Sequence, residues 1–392
     1  MRSARAAIAM LAALVAACAG GPSGEPPVEL RTLMQRELEL PAAAPVASAD
    51  GAVRARVAGR LVGEFERTPD HTYFGRFDIG ARSPVECHVF DEEKDPATTL
   101  VKMSENVFDP ATTQRKIDRR EIFAIDASHA GPHPYLGLDW LAKSGGVSYQ
   151  VKQKFATRGN RSLYCLHDET GYASAFDRFF AGFVSSLEVD EEVAPIYRDV
   201  VVVSIGGQEV GYQAMSVTRD ADGDYRAHTQ GATIIPAAAD QAMASDDQSV
   251  EFSRADGSVI NQVWASSDGK DLTQLDLRRK DGVWSVTGKM QGKSVSERFE
   301  AKLTSGVQEN RLMMGVARGE LGEQRYARWL GTLSPGKALD HVMTRSGASS
   351  VHVAAGPAKV DVEVDERAPT RAVLRMGRLE MVMQRVYVDG SL

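Results

Sequence analysis

The sequence predicts an α+β chain: an N-terminal mixed α/β sandwich domain, followed by an all-β antiparallel meander curled into a half-barrel or barrel. Two observations predict this fold class. Strand-like runs in the first half are closed by one strongly amphipathic helical stretch near residue 180. In the second half, Asp-Gly and similar turn dipeptides separate runs of strand length, a pattern typical of consecutive hairpins.

Residues 1–17 have the composition of an export signal. Arg2 and Arg5 precede an apolar run from Ala6 to Leu14, and small residues follow that run. The run is too short to cross a bilayer, which takes about 20 apolar residues. We therefore expect residues 1–17 to be a cleaved signal peptide.

The stretch Leu14-Val15-Ala16-Ala17-Cys18 resembles the lipobox of bacterial lipoproteins. The resemblance implies cleavage before Cys18 and acylation of that cysteine, with palmitate-type chains holding a soluble body at a membrane. Ala19, rather than Asp, follows the cysteine, and the sorting rule of Gram-negative lipoproteins then implies the outer membrane, facing the periplasm. The alternative is an ordinary cleaved signal in which Cys18 is incidental.

Composition divides the remaining chain into three parts. Residues 18–50 are rich in Ala, Pro, Gly and Ser, which predicts a flexible tether with a helical turn or two between Leu30 and Leu40. Residues 51–192 are expected to form the α+β sandwich domain, and residues 195–392 the antiparallel β domain. The boundary lies near Glu191 to Pro195, where a helix-like run gives way to strands.

The first domain shows six strand-like runs and two helical signals. The strand-like runs are Ala52 to Glu66, Thr72 to Ile79, Val85 to Phe90, Glu121 to Ile125, Val147 to Ala156 and Ser162 to His167. One helix is predicted from Asp95 as N-cap and Pro96 at the first position, over Ala97 to Asn106. A second follows from aromatic and aliphatic residues that share one helical face between Tyr172 and Leu187.

We interpret this aromatic stripe as a closing helix laid across a sheet rather than as a ligand box. The order of strands followed by a helix ending in FVSSLEV resembles the PsbP-like α/β sandwich family of exported proteins. The resemblance is one of pattern, without a diagnostic motif.

The second domain is predicted to be all β. Its turn dipeptides are Asp222-Gly223, Asp256-Gly257, Asp268-Gly269, Asp281-Gly282 and Gln291-Gly292. Two interruptions are expected: a loop or short helix over Pro236 to Asp247, and a helical turn or two over Ser334 to Met343. A sheet of so many strands is expected to curl, because a flat open sheet leaves long edges.

Two stretches of the second domain carry a further resemblance. The opening VVVSIGGQEVGYQAMSV, with its G-x-x-x-G-Y motif, and the closing VDVEVDERAPTRAVLRMGRLEMVMQRVYV resemble periplasmic β-sheet families. More loosely, the layout is similar to the lipoprotein carrier fold, in which a curved sheet wraps an apolar cavity. That likeness implies a hydrophobic ligand.

Charge and cysteine content bound the function. Loss of Arg2 and Arg5 with the signal changes the formal net charge from -7 to -9, which argues against nucleic-acid binding. If Cys18 carries lipid, Cys87 and Cys165 remain as a pair in an oxidising compartment, and we expect them to form a disulfide. The alternatives are a metal site that adds His167, with Asp168 and Glu169 beside it, and a Cys-His nucleophile in which a histidine such as His88 activates a thiol.

Three other stretches carry weaker signals. The acidic stretch Asp220 to Asp224 lacks the spacing of an EF-hand loop and is interpreted as a hairpin tip. Gly206-Gly207 is interpreted as a hairpin turn, and SHAGPHP, which contains His129 and His133, as a loop. The common signatures of exported hydrolases are missing from the sequence.

The expected function is therefore non-enzymatic, with no cofactor and no metal. We expect the β domain to hold a hydrophobic ligand or an envelope protein while the lipid anchor keeps the chain at the membrane. The alternative is a scaffold or adaptor in an envelope complex, and an exported hydrolase is the least favoured. An apolar cavity of about 300 to 1,000 Å³ would favour the ligand carrier, and a filled interior the adaptor.

Overall fold

The computed structural model describes residues 27–70, 72–113, 116–190, 193–269, 271–331, 333–356, 358–376 and 379–392. The predicted signal peptide and Cys18 lie outside these residues. The chain forms two compact units. The first unit contains the described residues up to 190 together with Ile234–Ala244, and the second contains the remainder. No helix within the described ranges is both long and apolar enough to cross a membrane.

Among its described residues up to 190, the first unit has nine strands and four helices. The strands are β1 (Ala44–Ala47), β2 (Arg54–Val57), β3 (Arg60–Arg67), β4 (Thr72–Asp78), β5 (Val85–Phe90), β6 (Arg119–Ala130), β7 (His133–Ser144), β8 (Val147–Arg158) and β9 (Arg161–His167). The helices are α1 (Val28–Met34), α2 (Pro96–Phe108), α3 (Pro110–Thr113) and α4 (Ala173–Ser186). Strands β3 to β9 form one antiparallel sheet of order β3-β4-β5-β9-β8-β7-β6, and β1 pairs with β2.

Helices cover both faces of the seven-stranded sheet. Both predicted helices are present as α2 and α4. The aromatic stripe of α4 is buried against β4, β5 and β9, and its members are Phe176, Phe179, Phe180, Phe183 and Val184. Helix α2 lies on the opposite face, where the Ser104 hydroxyl donates to Gln153 Oε1 at 2.5 Å.

The stretch expected to be a flexible tether is folded from residue 27 onward. Leu30 of α1 is buried, and Leu38, Leu40 and Val46 pack against the core of the first unit. Strand β1 also pairs with β2 over its whole length. The Ala/Pro-rich composition suggested a tether even though the stretch contains these apolar anchors, and helix α1 overlaps the helical turn expected between Leu30 and Leu40.

Strand β7 was missed because it lacks alternation. Its residues are buried on both faces of the sheet, so its sequence HPYLGLDWLAKS is almost continuously apolar in the middle. The SHAGPHP stretch was predicted as a loop, but only Gly131 and Pro132 form the tight turn between β6 and β7, with Gly131 at φ 62°. The prediction is wrong for His129, which lies in β6, and for His133, which begins β7.

From residue 193 onward, the part of the chain that the structure describes contains fourteen strands and one helix. The strands are β10 (Tyr197–Ile205), β11 (Gln208–Arg219), β12 (Tyr225–Ala238), β13 (Gln241–Ser253), β14 (Val259–Ser267), β15 (Leu272–Lys280), β16 (Val283–Met290), β17 (Lys293–Phe299), β18 (Gln324–Arg328), β19 (Leu339–Arg345), β20 (Ser350–Ala355), β21 (Ala358–Val364), β22 (Pro369–Met376) and β23 (Leu379–Gly390). The helix is α5 (Gly306–Arg318). The tip of the β12–β13 hairpin is the stretch counted with the first unit.

These strands form one sheet of order β17 to β10, then β23 to β18. The first and last strands are neighbours, with Tyr197 opposite Gly390. The sheet is open between β17 and β18, so of the two predicted forms, half-barrel or barrel, the closed barrel is wrong. The chain between these two strands forms α5 instead of a hairpin, and Leu303 makes a parallel bridge to Ala327 on the β18 edge.

The predicted hairpin turns are confirmed. All five dipeptides, and Gly206-Gly207 as well, lie between consecutive antiparallel strands. Asp281 and Gly282 have φ values of 52° and 86°, and Gln291 and Gly292 have 50° and 73°. Positive φ at both positions is what a two-residue type I′ turn requires.

Helix α5 corrects the all-β prediction. Ser305 caps its N-terminus by accepting the N–H of Gln308 at 3.1 Å, and Gly319 ends it at φ 77°. Its buried residues Met313, Val316 and Ala317 pack on β18 to β21. The S-x-x-Q box and the terminal glycine are both readable in the sequence.

Two predicted interruptions are also wrong. Residues 236–247 belong mainly to β12 and β13, and the LDHVM stretch belongs to β19. In β19, His341 and Met343 are buried while Asp340 is exposed, which is the two-residue period of a strand.

Candidate functional site

A cavity of about 310 Å³ lies beside α5 in the second unit, and we call it the α5 pocket. Three separate stretches of chain and one residue of β10 form its wall. They are Asn310 to Leu321 of α5 and the residues after it, Glu366 to Pro369 between β21 and β22, the C-terminal Ser391 and Leu392, and Tyr197. No single motif in the sequence contains these residues.

Part of the wall of the α5 pocket is apolar. Met314 lines the cavity and also packs against the buried cluster that contains Val316. Leu392 packs against the cluster of buried residues around Tyr197. Leu321 is partly exposed beside them. Helix α5 therefore both packs on the sheet and lines the cavity.

The rim of the α5 pocket is charged. Arg318 Nη2 donates to the Glu366 carbonyl at 2.8 Å, and Arg311 Nη2 donates to the Tyr225 hydroxyl at 2.7 Å. Arg367, Glu320 and Glu366 also line the cavity. The lining therefore combines exposed guanidinium and carboxylate groups with apolar side chains.

The loop between β21 and β22 is held in place by Asp365. This carboxylate accepts the backbone N–H groups of Arg367 and Ala368 at 2.8 and 3.0 Å and pairs with Arg385 of β23. The hydrogen bond from Arg385 and the two backbone bonds lower the pKa of Asp365 well below its usual range. The pocket wall at 366–369 is thus fixed to the last strand.

Elsewhere in the second unit the core is filled by side chains. Trp284 and Trp329 are almost completely buried with Leu275, Leu277 and Val286. Their indole nitrogens donate to the Ala301 and Pro335 carbonyls at 2.9 and 3.0 Å. The large apolar cavity implied by the lipoprotein carrier likeness is therefore occupied here by indole rings.

A buried ionic cluster fixes the N-terminus of α5. Glu251 of β13 accepts the N–H of Gly306 at 2.7 Å, and Arg328 of β18 lies 3.6 Å from Glu251 and 3.4 Å from Glu309. The Tyr326 hydroxyl donates to Glu309 at 2.6 Å. Burial raises the pKa of Glu251, so its charge depends on Arg328. The cluster joins the helix to the sheet.

The disulfide predicted from the sequence is present. Cys87 and Cys165 face each other directly across β5 and β9, with their Cα atoms 4.1 Å apart, and both are fully buried under α4. A bonded pair has no thiolate for the metal site or the nucleophile considered as alternatives. His88 lies on the other face of the sheet, its ring 4.9 Å from that of Phe74.

The α4 face of the first unit also carries a buried polar cluster that sequence analysis missed. Lys154 pairs with Asp126 at 2.7 Å and Asp177 at 3.0 Å, and Lys152 donates to the Glu169 carbonyl. Burial lowers the pKa of Lys152 to about 8 and raises that of Asp139 to about 6. The sequence does contain a sign of this cluster: Lys152 and Lys154 are two residues apart on β8, so they lie on the same face of the sheet.

The buried lysines are enclosed. Lys152 is 1% exposed and Lys154 is 6% exposed, so neither amine is open to a substrate. Gln150 donates to Asp139 at 2.9 Å and its backbone N–H donates to the Thr170 hydroxyl at 3.1 Å. These contacts hold the strands and the segment before α4 together, which is a structural role.

His167 is expected to make the first unit sensitive to acid. Burial, and then the positive charge of Lys152, lower its pKa to about 3. In the unfolded chain, His167 takes up a proton near pH 6.5, whereas in the folded chain it stays neutral until about pH 3. The free energy of unfolding therefore falls by about 1.4 kcal/mol per pH unit as the pH drops from about 6.5 towards 3.

The test is urea unfolding of wild type and His167→Phe between pH 7 and pH 4. The ring of His167 packs beside those of Tyr172 and Phe176, so phenylalanine suits the site. We expect the variant to lose less stability than wild type by about 2 kcal/mol at pH 5. Parallel pH profiles for the two proteins would contradict the assignment to His167.

The remaining sequence candidates have local roles. Asp220 accepts the backbone N–H of Asp224 at 2.9 Å within the β11–β12 turn, as expected of a hairpin tip. His129 Nδ1 lies 3.0 Å from the Gly131 carbonyl in the β6–β7 turn. Within the ranges that the structure describes, no group of three or more His, Cys, Asp or Glu residues could hold a metal ion.

Comparison with known proteins leaves the family open. No known protein family matches the chain, and no curated protein is similar to it. Among solved structures, the chain is similar to a beta-barrel-like protein of domain of unknown function DUF1849 from Brucella abortus. The two are 10% identical, with a TM-score of 0.41, over 50% of this chain and 98% of the other.

Proposed function

We propose that the chain is a lipoprotein of the bacterial envelope that binds a small amphiphilic molecule in the α5 pocket and catalyses no reaction on it. The observation that carries this proposal is the pocket itself. Its volume of about 310 Å³ lies at the lower end of the range of small-molecule sites. A lining that combines apolar side chains with charged groups matches a molecule with an apolar body and a polar head.

The lining of the pocket suits binding more than chemistry. The described residues that line it include no histidine, cysteine or lysine. Its two best-placed cations are engaged with neutral partners, Arg318 with a backbone carbonyl and Arg311 with a tyrosine hydroxyl. Because a guanidinium has five N–H donors, each arginine keeps others that can donate to the polar head of a ligand.

The cellular address rests on the first residues of the chain. Anchoring through Cys18 follows from the lipobox resemblance, and Ala19 favours the outer membrane, facing the periplasm. The Cys87–Cys165 disulfide fits an oxidising compartment such as the periplasm. Acid-rich composition fits a partner other than nucleic acid.

The second candidate function is an adaptor in an envelope complex without a small ligand. It is favoured by the filled core, in which α5, Trp284 and Trp329 occupy the space that a carrier would keep open. A carrier of this kind would be limited to ligands that fit beside α5.

Filling the pocket separates these two functions. We expect Met314→Trp to weaken binding of anilinonaphthalenesulfonate, an apolar anion, by at least tenfold, or about 1.4 kcal/mol, because the indole occupies the cavity. Leu272→Trp is the matched control, since Leu272 is 61% exposed at the start of β15. Fluorescence titration of the soluble Cys18→Ser chain measures both, and native mass spectrometry detects co-purified molecules.

A second variant tests the pocket without filling it, in case Met314→Trp does not fold. Arg367→Glu reverses one exposed charge on the pocket rim, and Arg298→Glu makes the same change on the exposed strand β17. We expect weaker binding of the anion for Arg367→Glu alone. Equal affinity in all four variants would remove the pocket as the site and favour the adaptor.

A further inference from the structure

We infer that the second unit has a site for an organic ammonium group, formed by the Asp247 carboxylate and the Trp264 indole. The site lies on the face of the sheet that carries α5, but outside the α5 pocket. It does not depend on the proposed function, because neither residue lines that pocket.

The carboxylate of Asp247 occupies space that a glycine on the neighbouring strand leaves open. Asp247 is on β13, and its side chain lies directly over Gly231 of β12. A Cβ atom added to this glycine would come within 2.4 Å of Asp247 Oδ1. On the other side, Asp247 is opposite Ser266 of β14. Any larger residue at position 231 would therefore displace the carboxylate.

The chain supplies no counter-charge for Asp247. Among the described residues, none donates a hydrogen bond to its carboxylate or pairs with it, and burial raises its pKa. Glu251 lies four residues along the same strand on the same face, yet Arg328 is 3.6 Å from it. Burying a carboxylate without a partner costs free energy. Asp247 therefore favours a cation from outside the chain.

Trp264 of β14 places an aromatic ring beside this carboxylate. It is opposite Ser249, which is two residues from Asp247 on β13, so the indole and the carboxylate are diagonal neighbours on one face. The indole packs against the buried cluster that contains Trp284, and the residue is still partly exposed. A metal ion such as Ca²⁺ takes about six to eight oxygen ligands, whereas an ammonium group suits one carboxylate beside an aromatic ring.

This part of the sheet face is open to a ligand. Gln213 of β11, which is opposite Gly231, is exposed, and Trp264 is partly exposed. Helix α5 lies further along β11, where its Val307 packs in one cluster with Val217. An ammonium compound can therefore approach the carboxylate without displacing the helix.

Choline is the probe, and dimethylbutanol, in which carbon replaces the charged nitrogen, is its matched uncharged control. Calorimetric titration of the soluble Cys18→Ser chain measures both affinities. We expect choline to bind and dimethylbutanol to bind at least tenfold more weakly, because the alcohol has no charge for Asp247 to pair with. Met314→Trp, which fills the α5 pocket, is expected to leave choline affinity unchanged. No binding of choline, equal affinity for the two compounds, or loss of choline binding in Met314→Trp would overturn the inference.

Substitutions then test the two residues. Asp247→Asn removes the charge but keeps the shape, and Asp276→Asn is the matched control. Asp276 lies between the buried Leu275 and Leu277 on β15, so it faces the other side of the sheet. We expect Asp247→Asn to weaken choline binding at least tenfold and Trp264→Leu at least threefold, while Asp276→Asn has no effect.

Stability distinguishes this site from a structural role for Asp247. Because the carboxylate has no partner to lose, the urea midpoint of Asp247→Asn is expected to equal or exceed that of wild type. A lower midpoint would show that Asp247 holds the sheet together. That result, or unchanged choline affinity in Asp247→Asn, would overturn the inference.

Discussion

Replacing Arg328 with methionine is expected to lower the free energy of unfolding of the second unit by about 3 to 5 kcal/mol. Arg328 is the cation that faces both Glu251 and Glu309, and Glu251 is almost fully buried. Methionine keeps the stem and removes the charge, so a buried carboxylate is left without its partner. Glu251 also receives the first N–H of α5, so the helix start is weakened too.

The readout has to report on the second unit alone. Of the four tryptophans, Trp264, Trp284 and Trp329 belong to the second unit and Trp140 to the first. In a Trp140→Phe background, tryptophan fluorescence during urea unfolding therefore follows the second unit. Arg325→Met is the matched control, because its pair with Glu323 is exposed and such pairs are worth about 1 kcal/mol or less.

The charge of Glu251 provides an independent check on the cause. The double variant Glu251→Gln with Arg328→Met removes the unpaired charge and is expected to be more stable than Arg328→Met alone at neutral pH. If Arg328→Met and Arg325→Met lower the free energy of unfolding by the same amount, the ion pairs of Arg328 contribute no more than an exposed salt bridge. The anchoring role of Glu251 at α5 would then be wrong.

Local signals predicted local structure well. The Asp-Gly pairs specify turns by themselves, because glycine alone supplies positive φ without strain, and each of them lies in a hairpin. The aromatic stripe of α4 predicted a helix on a sheet because its 3.6-residue period leaves one apolar face. The number of cysteines alone predicted the Cys87–Cys165 bond, and the two residues are directly opposite each other on β5 and β9.

Other elements were missed where two signals competed. The capping box at Ser305 and Gln308 and the terminal Gly319 mark α5, yet turn dipeptides on its N-terminal side favoured a continuous meander. Strand β7 is buried on both faces and so lacks the two-residue period that identified its neighbours. In β19, the spacing of Leu339 and Val342 imitates a helical turn, although His341 and Met343 show the strand period.

The α5 pocket was beyond the reach of sequence reasoning for a geometric reason. Its wall joins a helix, the loop after β21 and the C-terminus. These come together only because the first strand, β10, pairs with the last, β23, which brings Tyr197 and the chain end side by side. Pairing between strands so distant in sequence has no local sequence signature. The residues that it brings together are also of types common on protein surfaces, so they do not mark a site.

Loss of the disulfide is expected to destabilise the first unit by about 4 to 5 kcal/mol in the chain-entropy estimate. The bond links residues 78 apart, so it removes a large share of the freedom of the unfolded chain. The bonded pair is buried beneath α4, where Cys87 and Cys165 contact the aromatic core. Cys87→Ala with Cys165→Ala removes the bond and adds a small cavity, so the measured loss includes both costs.

Hydrogen exchange read by mass spectrometry gives the stability of each unit separately. In the double-alanine variant, peptides from β5 and β9 are expected to exchange at much lower urea than in wild type, while peptides from β14 to β16 in the second unit stay unchanged. Wild type refolded with reductant should have the same stability in its first unit as the variant, apart from the cost of the cavity. The stability of the variant should not change when reductant is added. If β5 and β9 keep their protection in the variant, the bond adds little to a sheet already fixed by α4.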